Sequence, residues 1–85
     1  MDPYDVIEHP YVTEKTLMLI ENNNSLQFVV KMDANKQMIK EALEKIFEIG
    51  VESVNTRITR NGKIATVKLG PEYSAEDIGM RIGIF

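Results

Sequence analysis

Asn61-Gly62 stands between two runs in which apolar and polar residues alternate, "SVNTRITR" and "KIATVKL". No other short signal predicts a β-hairpin as strongly, because a type I′ turn needs positive φ at both central residues and this pair tolerates it. A two-residue turn at Asn61-Gly62 predicts a register. Arg60 falls opposite Lys63, Ile58 opposite Ala65, Thr56 opposite Val67 and Val54 opposite Leu69, and these pairs form the apolar face. Pleating puts Asn55 opposite Lys68, Arg57 opposite Thr66 and Thr59 opposite Ile64 on the other face. Amide, guanidinium, ammonium and hydroxyl groups are thus expected together on one side. Residues 53–69 hold Arg57, Arg60, Lys63 and Lys68 and no acid, in a chain of formal net charge −3.

The remaining segments alternate in period, which predicts an α+β domain. "YDVI" reads as a short strand, closed by Pro10. Thr13 to about Glu21 reads as a short helix capped by Thr13, with Leu17 and Ile20 on its apolar side. "ENNNS" ends it, since Asn favours turns and left-handed conformations. "SLQFVVK" reads as a strand; Leu26, Phe28 and Val30 alternate, and Val29 implies partial burial of the second face. "DANKQMIKEALEKIFEIG" is the clearest helix, with Asp33 or Asn35 as its N-cap. Its apolar stripe is Ile39, Ala42, Leu43, Ile46 and Phe47, and Gly50 sits where a C-terminal cap belongs. Lys36 and Lys40 lie along one flank of the stripe. Ser74 with Asp77 fits the start of a last short helix, which Gly79 and Gly83 should limit.

Eighty-five residues make a single domain, 1–85, with room for one small core and little for a deep cleft as well. The absence of cysteine excludes disulfides and zinc-thiolate sites and favours a reducing, cytoplasmic setting. No apolar run reaches membrane-spanning length, and the acidic start "MDPYDVIEHP" is unlike a signal peptide. His9 is the only histidine. No nucleophile motif, metal-ligand spacing or phosphate-cradling loop accompanies it, so neither catalysis nor a cofactor, metal or small-molecule substrate is expected. An acylphosphatase-like enzyme would need an anion-cradling loop after the first strand, which "EHPYVTEK" does not form. Two readings of the basic hairpin face remain. Its cations, Asn and Thr could meet phosphate and ribose oxygens of RNA. Equally, it could be the ordinary polar face of a small protein-interaction or ligand-binding regulatory domain without RNA contact, with lysines deterring edge aggregation.

"HPYVTEKT" at 9–16, "ANKQMIKEALEKIF" at 34–47, "VESVNT" at 51–56 and "EYSAEDIGMRIG" at 72–83 occur in this order and spacing. Together they resemble the family of large-subunit ribosomal protein twenty-three in its archaeal form, from about Tyr4 to Phe85. The resemblance implies a four-stranded antiparallel sheet with packed helices, ferredoxin-like, in the order β-α-β-α-β-β. It implies binding to large-subunit ribosomal RNA at the rim of the polypeptide exit tunnel, beside neighbouring ribosomal proteins. It also implies a docking surface for signal recognition particle or nascent-chain chaperones. Lys15, Lys36, Lys40, Asn55 and Thr56 match the family's RNA-facing positions, and Glu14 its exposed acidic docking position. The hairpin register adds Arg57, Arg60, Lys63 and Lys68 to the expected RNA-binding set. The chain departs from the family in its acidic total, and its minimal hairpin loop leaves no room for the longer loop of bacterial members.

Overall fold

The computed structural model describes residues 2–84, so Phe85, where the resemblance ends, lies outside it. The hairpin forms, but two residues out of the expected register. β3 (Val51–Thr59) and β4 (Gly62–Leu69) pair antiparallel, with Thr59 opposite Gly62, Arg57 opposite Ile64, Asn55 opposite Thr66 and Val54 opposite Val67. The turn is therefore Arg60-Asn61. Neither residue has positive φ; Gly62 does, at +115°. This is the pattern of an ordinary turn followed by a left-handed glycine bulge, which replaces the type I′ turn expected at Asn61-Gly62. Thr59 closes the turn: its hydroxyl donates to Gly62 O at 3.1 Å and accepts from the Asn61 N–H at 3.1 Å. A slip of two residues leaves every side chain on its expected face, where a slip of one would have exchanged the faces.

β2 (Ser25–Val30) pairs antiparallel with β4 on one side. Its other side meets β1 (Ile7–Pro10) over Phe28–Val30. The sheet has four antiparallel strands in the order β1-β2-β4-β3. Where β1 stops short, α2 (Glu14–Asn23) packs against β2. Flanked on both sides, β2 is buried along its whole length, Ser25 and Gln27 included. The sequence predicts burial of its second face only in part.

"YDVI" is not the strand itself. Asp2 accepts a hydrogen bond from the Tyr4 N–H at 2.9 Å and caps a single helical turn, α1 (Pro3–Val6). Proline at the first helical position suits this start, because its missing N–H would have no helical partner there. β1 follows and ends at Pro10 as expected. The Thr13 cap also forms: the Thr13 hydroxyl accepts from the Thr16 N–H, and the Thr16 hydroxyl accepts from the Thr13 N–H, both at 3.2 Å. Of the two candidate caps for α3 (Lys36–Phe47), Asn35 is used; its side chain accepts from the Met38 N–H at 2.8 Å. α3 ends before Gly50. Glu48 takes the left-handed cap at φ 56°, and a Cβ on Gly50 would stand 2.9 Å from the Tyr73 ring, so close packing explains that glycine. The last helix, α4 (Ala75–Arg81), starts at Ser74 as expected and runs through Gly79.

All four helices lie on one side of the sheet. Val6, Ile20, Ile39, Ala42, Leu43, Ala75 and Ile78 form one core with Leu26, Phe28, Val30, Val54, Ala65, Val67 and Leu69. Ile58 belongs to the same face by parity but is 69% exposed. It lies beyond the core at the turn end, opposite Lys63. Among the described residues no helix packs a core against the other side, which α2 reaches only through the Thr16 hydroxyl at the edge of β2.

Candidate nucleic-acid interface

Pleating and register together dictate what the helix-free face presents. Across the strands run the rows His9–Val29–Ile64–Arg57, Gln27–Thr66–Asn55 and Ser25–Lys68–Ser53. The β1–β2 side of this face is closed and the β3 side is open. Ser25, Gln27, Val29 and Ile64 are buried, whereas Ser53, Asn55, Arg57 and Lys68 are exposed and Thr59 and Thr66 half-buried. Tyr11 helps to close the first side. Its N–H donates to Gln27 O at 3.0 Å, and its hydroxyl accepts from Asn61 Nδ2 at 3.3 Å. Its side chain therefore extends from the Gln27 row towards the hairpin turn, past the Val29–Ile64 row. Burying that apolar pair without a helix gives a firm floor beneath a polar rim.

The expected RNA-binding residues do not share one face. Asn55, Arg57 and Lys68 stand on the open face. Arg60 is exposed in the turn. Thr56 points to the helix side, opposite Ala65, and is half-buried. Lys63 also belongs to the helix side. Its ammonium donates to Ala34 O at 2.5 Å and Met32 O at 3.3 Å, bracing the loop between β2 and α3. Lys36 and Lys40 lie in the first turns of α3, the former exposed and the latter half-buried, and Lys15 is exposed in the first turn of α2. Lys68 has the one ion pair among the described residues, 3.9 Å from the Glu52 carboxylate, with both side chains about half exposed. Such a pair is weak and leaves the ammonium available.

What most of these cations share is an end of the molecule. The hairpin turn and the β2–α3 loop meet there through Lys63; Arg57 and Arg60 stand on the hairpin side of this contact, Lys31 and Lys36 flank the loop, and Asp33 is the one carboxylate of that loop. The N-terminal acids Asp5 and Glu8 reach the same end beside Val6, whose carbonyl accepts from the Lys31 N–H at 3.0 Å, but across the sheet from β3. Glu21, Glu48, Glu52, Glu72, Glu76 and Asp77 sit on the elements and loops of the opposite end, where Lys45 and Lys68 are in the minority. Sequence spacing cannot reveal this end-to-end sorting, which depends on how the strands align. Sequence reasoning left Lys31 and Thr66 out of the RNA-binding set, although it put Thr66 on the polar face. Its parity with Lys68, two residues along the same strand, was the signal for including it.

Among the described residues no cluster of His, Cys, Asp and Glu could hold a metal ion, and no helix is long and apolar enough to cross a membrane. Glu14 is exposed in the first turn of α2, beside exposed Leu17 and Met18.

A one-sided sheet with a firm floor, a polar rim and a cationic end suits attachment to a polyanion, and its elements define a small protein of the α+β class. The family model for ribosomal protein L23 matches residues 5–76. The chain is 50% identical to the large ribosomal subunit protein uL23 of Methanothermobacter thermautotrophicus over 86 aligned residues, spanning 100% of both chains. Identity to the protein of the same name in Methanobrevibacter smithii is also 50%, again over the whole of both. With that of Thermoplasma acidophilum it is 49%, over 95% of this chain and 96% of the relative. The chain belongs to the ribosomal protein L23 family. It is thus a ribosomal protein with archaeal relatives, structural and not enzymatic, and its place is the ribosome.

Proposed function

We propose that the protein is a structural constituent of the large ribosomal subunit of the cytoplasmic ribosome, held there by ribosomal RNA against the open sheet face and the cationic end. The supporting observation is that Asn55, Arg57 and Lys68 stand exposed on a sheet face without a helix, with Arg60 exposed in the adjoining turn and Lys36 exposed at the start of α3. Guanidinium and ammonium groups neutralise phosphates, and Asn and Thr side chains bond phosphate and ribose oxygens. Lys15 and Lys40 extend this contact along their helices. Thr56 joins the set through the family resemblance, whereas Lys63 supplies field more than direct contact because its protons serve the loop. The family resemblance also supports a position at the rim of the exit tunnel, beside neighbouring ribosomal proteins.

The test is a salt titration of binding to large-subunit ribosomal RNA transcribed in vitro. Arg57→Ala is expected to weaken binding and to reduce the magnitude of the log–log salt slope by up to about one unit. An unchanged slope removes Arg57 from the contact. We further propose that the exposed Glu14, with Leu17 and Met18 beside it, faces signal recognition particle or a nascent-chain chaperone. Glu14→Lys is expected to slow association of that factor with assembled subunits by roughly three- to tenfold. Equal association rates for wild type and variant would exclude this acid from docking.

A further inference from the structure

A chain of buried polar groups crosses the sheet beneath the open face. Thr16 of α2 and Gln27 of β2 are 0% and 1% exposed. The Thr16 hydroxyl lies 2.7 Å from Gln27 Oε1 and 2.9 Å from the Tyr11 carbonyl oxygen. Gln27 Nε2 lies 3.0 Å from the Thr66 hydroxyl. Thr66 is half-buried, directly opposite exposed Asn55 and two residues from Lys68 on the same face.

Thr16 has one hydroxyl proton for three oxygens within reach, Gln27 Oε1, the Tyr11 carbonyl and the Thr13 hydroxyl at 3.2 Å, and the first two of these let the chain run in two directions. In the first, Thr16 donates to Gln27 Oε1 and Gln27 Nε2 donates to Thr66. The Thr66 proton is then free for an acceptor on the open face. In the second, the amide is turned over: Thr16 donates to the Tyr11 carbonyl, Gln27 Nε2 donates to Thr16, and Thr66 donates to Gln27 Oε1. Thr66 then offers only lone pairs outward. Each buried side-chain group finds a partner in both orders, and only the Tyr11 carbonyl gains or loses the Thr16 proton, so side-chain burial alone does not choose between them. The group that meets Thr66 from outside chooses.

We propose that Thr66 is a direct RNA contact, donating its hydroxyl proton to a phosphate or ribose oxygen, and that Gln27, held by Thr16, is the positioning residue that turns that proton outward. This rests on the RNA-binding reading above and extends it to an uncharged contact and the side chains behind it. Passing from one order to the other needs only rotation of the Gln27 amide and of the two hydroxyls, with the residues themselves already in place.

The experiment measures binding of the full chain to the in vitro transcript of large-subunit ribosomal RNA across a salt series. Thr66→Val is expected to weaken binding about three- to tenfold with the salt slope unchanged, since no charge is lost. Thr66→Ser is expected to restore it. Gln27→Met, which keeps the length but removes both polar atoms, is expected to weaken binding about two- to fourfold in the wild-type background and not at all beside Thr66→Val. An equal loss from Gln27→Met in both backgrounds overturns the positioning role, and so does any shift in salt slope with it. Wild-type binding with unaltered affinity in Thr66→Val overturns the contact alone. A wild-type chain that does not bind the transcript overturns the RNA reading and this proposal together. Thermal melts of each variant establish that the folded protein is being compared.

Discussion

Phe28→Ala is expected to lower the free energy of unfolding by about 3–5 kcal/mol. Phe28 is 2% exposed in the middle of β2. It sits between Pro10 of β1 and Ala65 of β4, with the Phe47 ring of α3 at a centroid distance of 6.1 Å. Removing the ring leaves a hole whose neighbours cannot close it. Ala65 has no length to spare, and Phe47 is tied to the end of α3. A domain of this size has roughly 4–13 kcal/mol in total, so the substitution removes a large part of it. The melting temperature should fall by about 12 °C or more, since each kcal/mol is worth about 4–8 °C in a domain this small. Urea or thermal denaturation measures this directly. A loss below about 1.5 kcal/mol would mean that the core closes around the gap and that the ring is not its centre.

Asn24→Ala should cost about 3–4 kcal/mol, for two separable reasons. Asn24 ends α2 in the left-handed conformation at φ 52°, which alanine adopts less readily than asparagine. Its side chain also fastens the far end of the chain. Nδ2 donates to Tyr73 O at 2.8 Å, and Oδ1 accepts from the Ala75 N–H at 2.8 Å. The Asn24 carbonyl accepts from Leu69 N at 3.1 Å, so the same residue meets the end of β4. Losing the amide strands a carbonyl and an N–H that are partly buried, at the entry to α4. Asn24→Gly separates the two effects, because it keeps the backbone conformation and loses the bonds. It should cost about 1 kcal/mol less than alanine. If the two variants unfold alike, backbone strain plays no part; if both lose under about 1 kcal/mol, the clamp is not structural.

The order of elements was legible because each carries a local signal that tertiary contacts reinforce. The stripe from Ile39 to Phe47, the Thr13 cap and the alternation of Leu26, Phe28 and Val30 all point the same way as the packing does. The errors have local physical causes. Asn61-Gly62 suits a type I′ turn, but glycine with positive φ serves equally as the bulge residue after a turn at Arg60-Asn61, and Thr59 supplies hydrogen bonds that favour the second. "DPYDVI" contained a cap and a helix-starting proline, yet its apolar residues suggested a strand. Gly50 sat close enough to a helix end to suggest a cap, while its actual constraint, the Tyr73 ring, lies more than twenty residues away. Contacts of that range leave no trace in local spacing.

The site was legible in one dimension only. Parity along β3 and β4 correctly separated Asn55, Arg57 and Lys68 from Val54 and Val67. It also put Lys63 on the helix side, but only the folded loop shows its ammonium engaged with Met32 and Ala34. The chain from Thr16 through Gln27 to Thr66 was invisible because its members come from three separate elements. Their meeting depends on β1 stopping short and α2 moving into the vacant edge of β2.

Charge sorting along the strands lets an acidic molecule carry a local cationic contact. From Val51 to Thr59 the backbone climbs eight steps of about 3.3 Å, or roughly 26 Å, whereas counter-ions in physiological salt damp a charge within about 8 Å. The two poles are therefore electrically nearly deaf to one another. A phosphate close to the hairpin turn is thus exposed to the cations there, with the carboxylates of the far pole screened out.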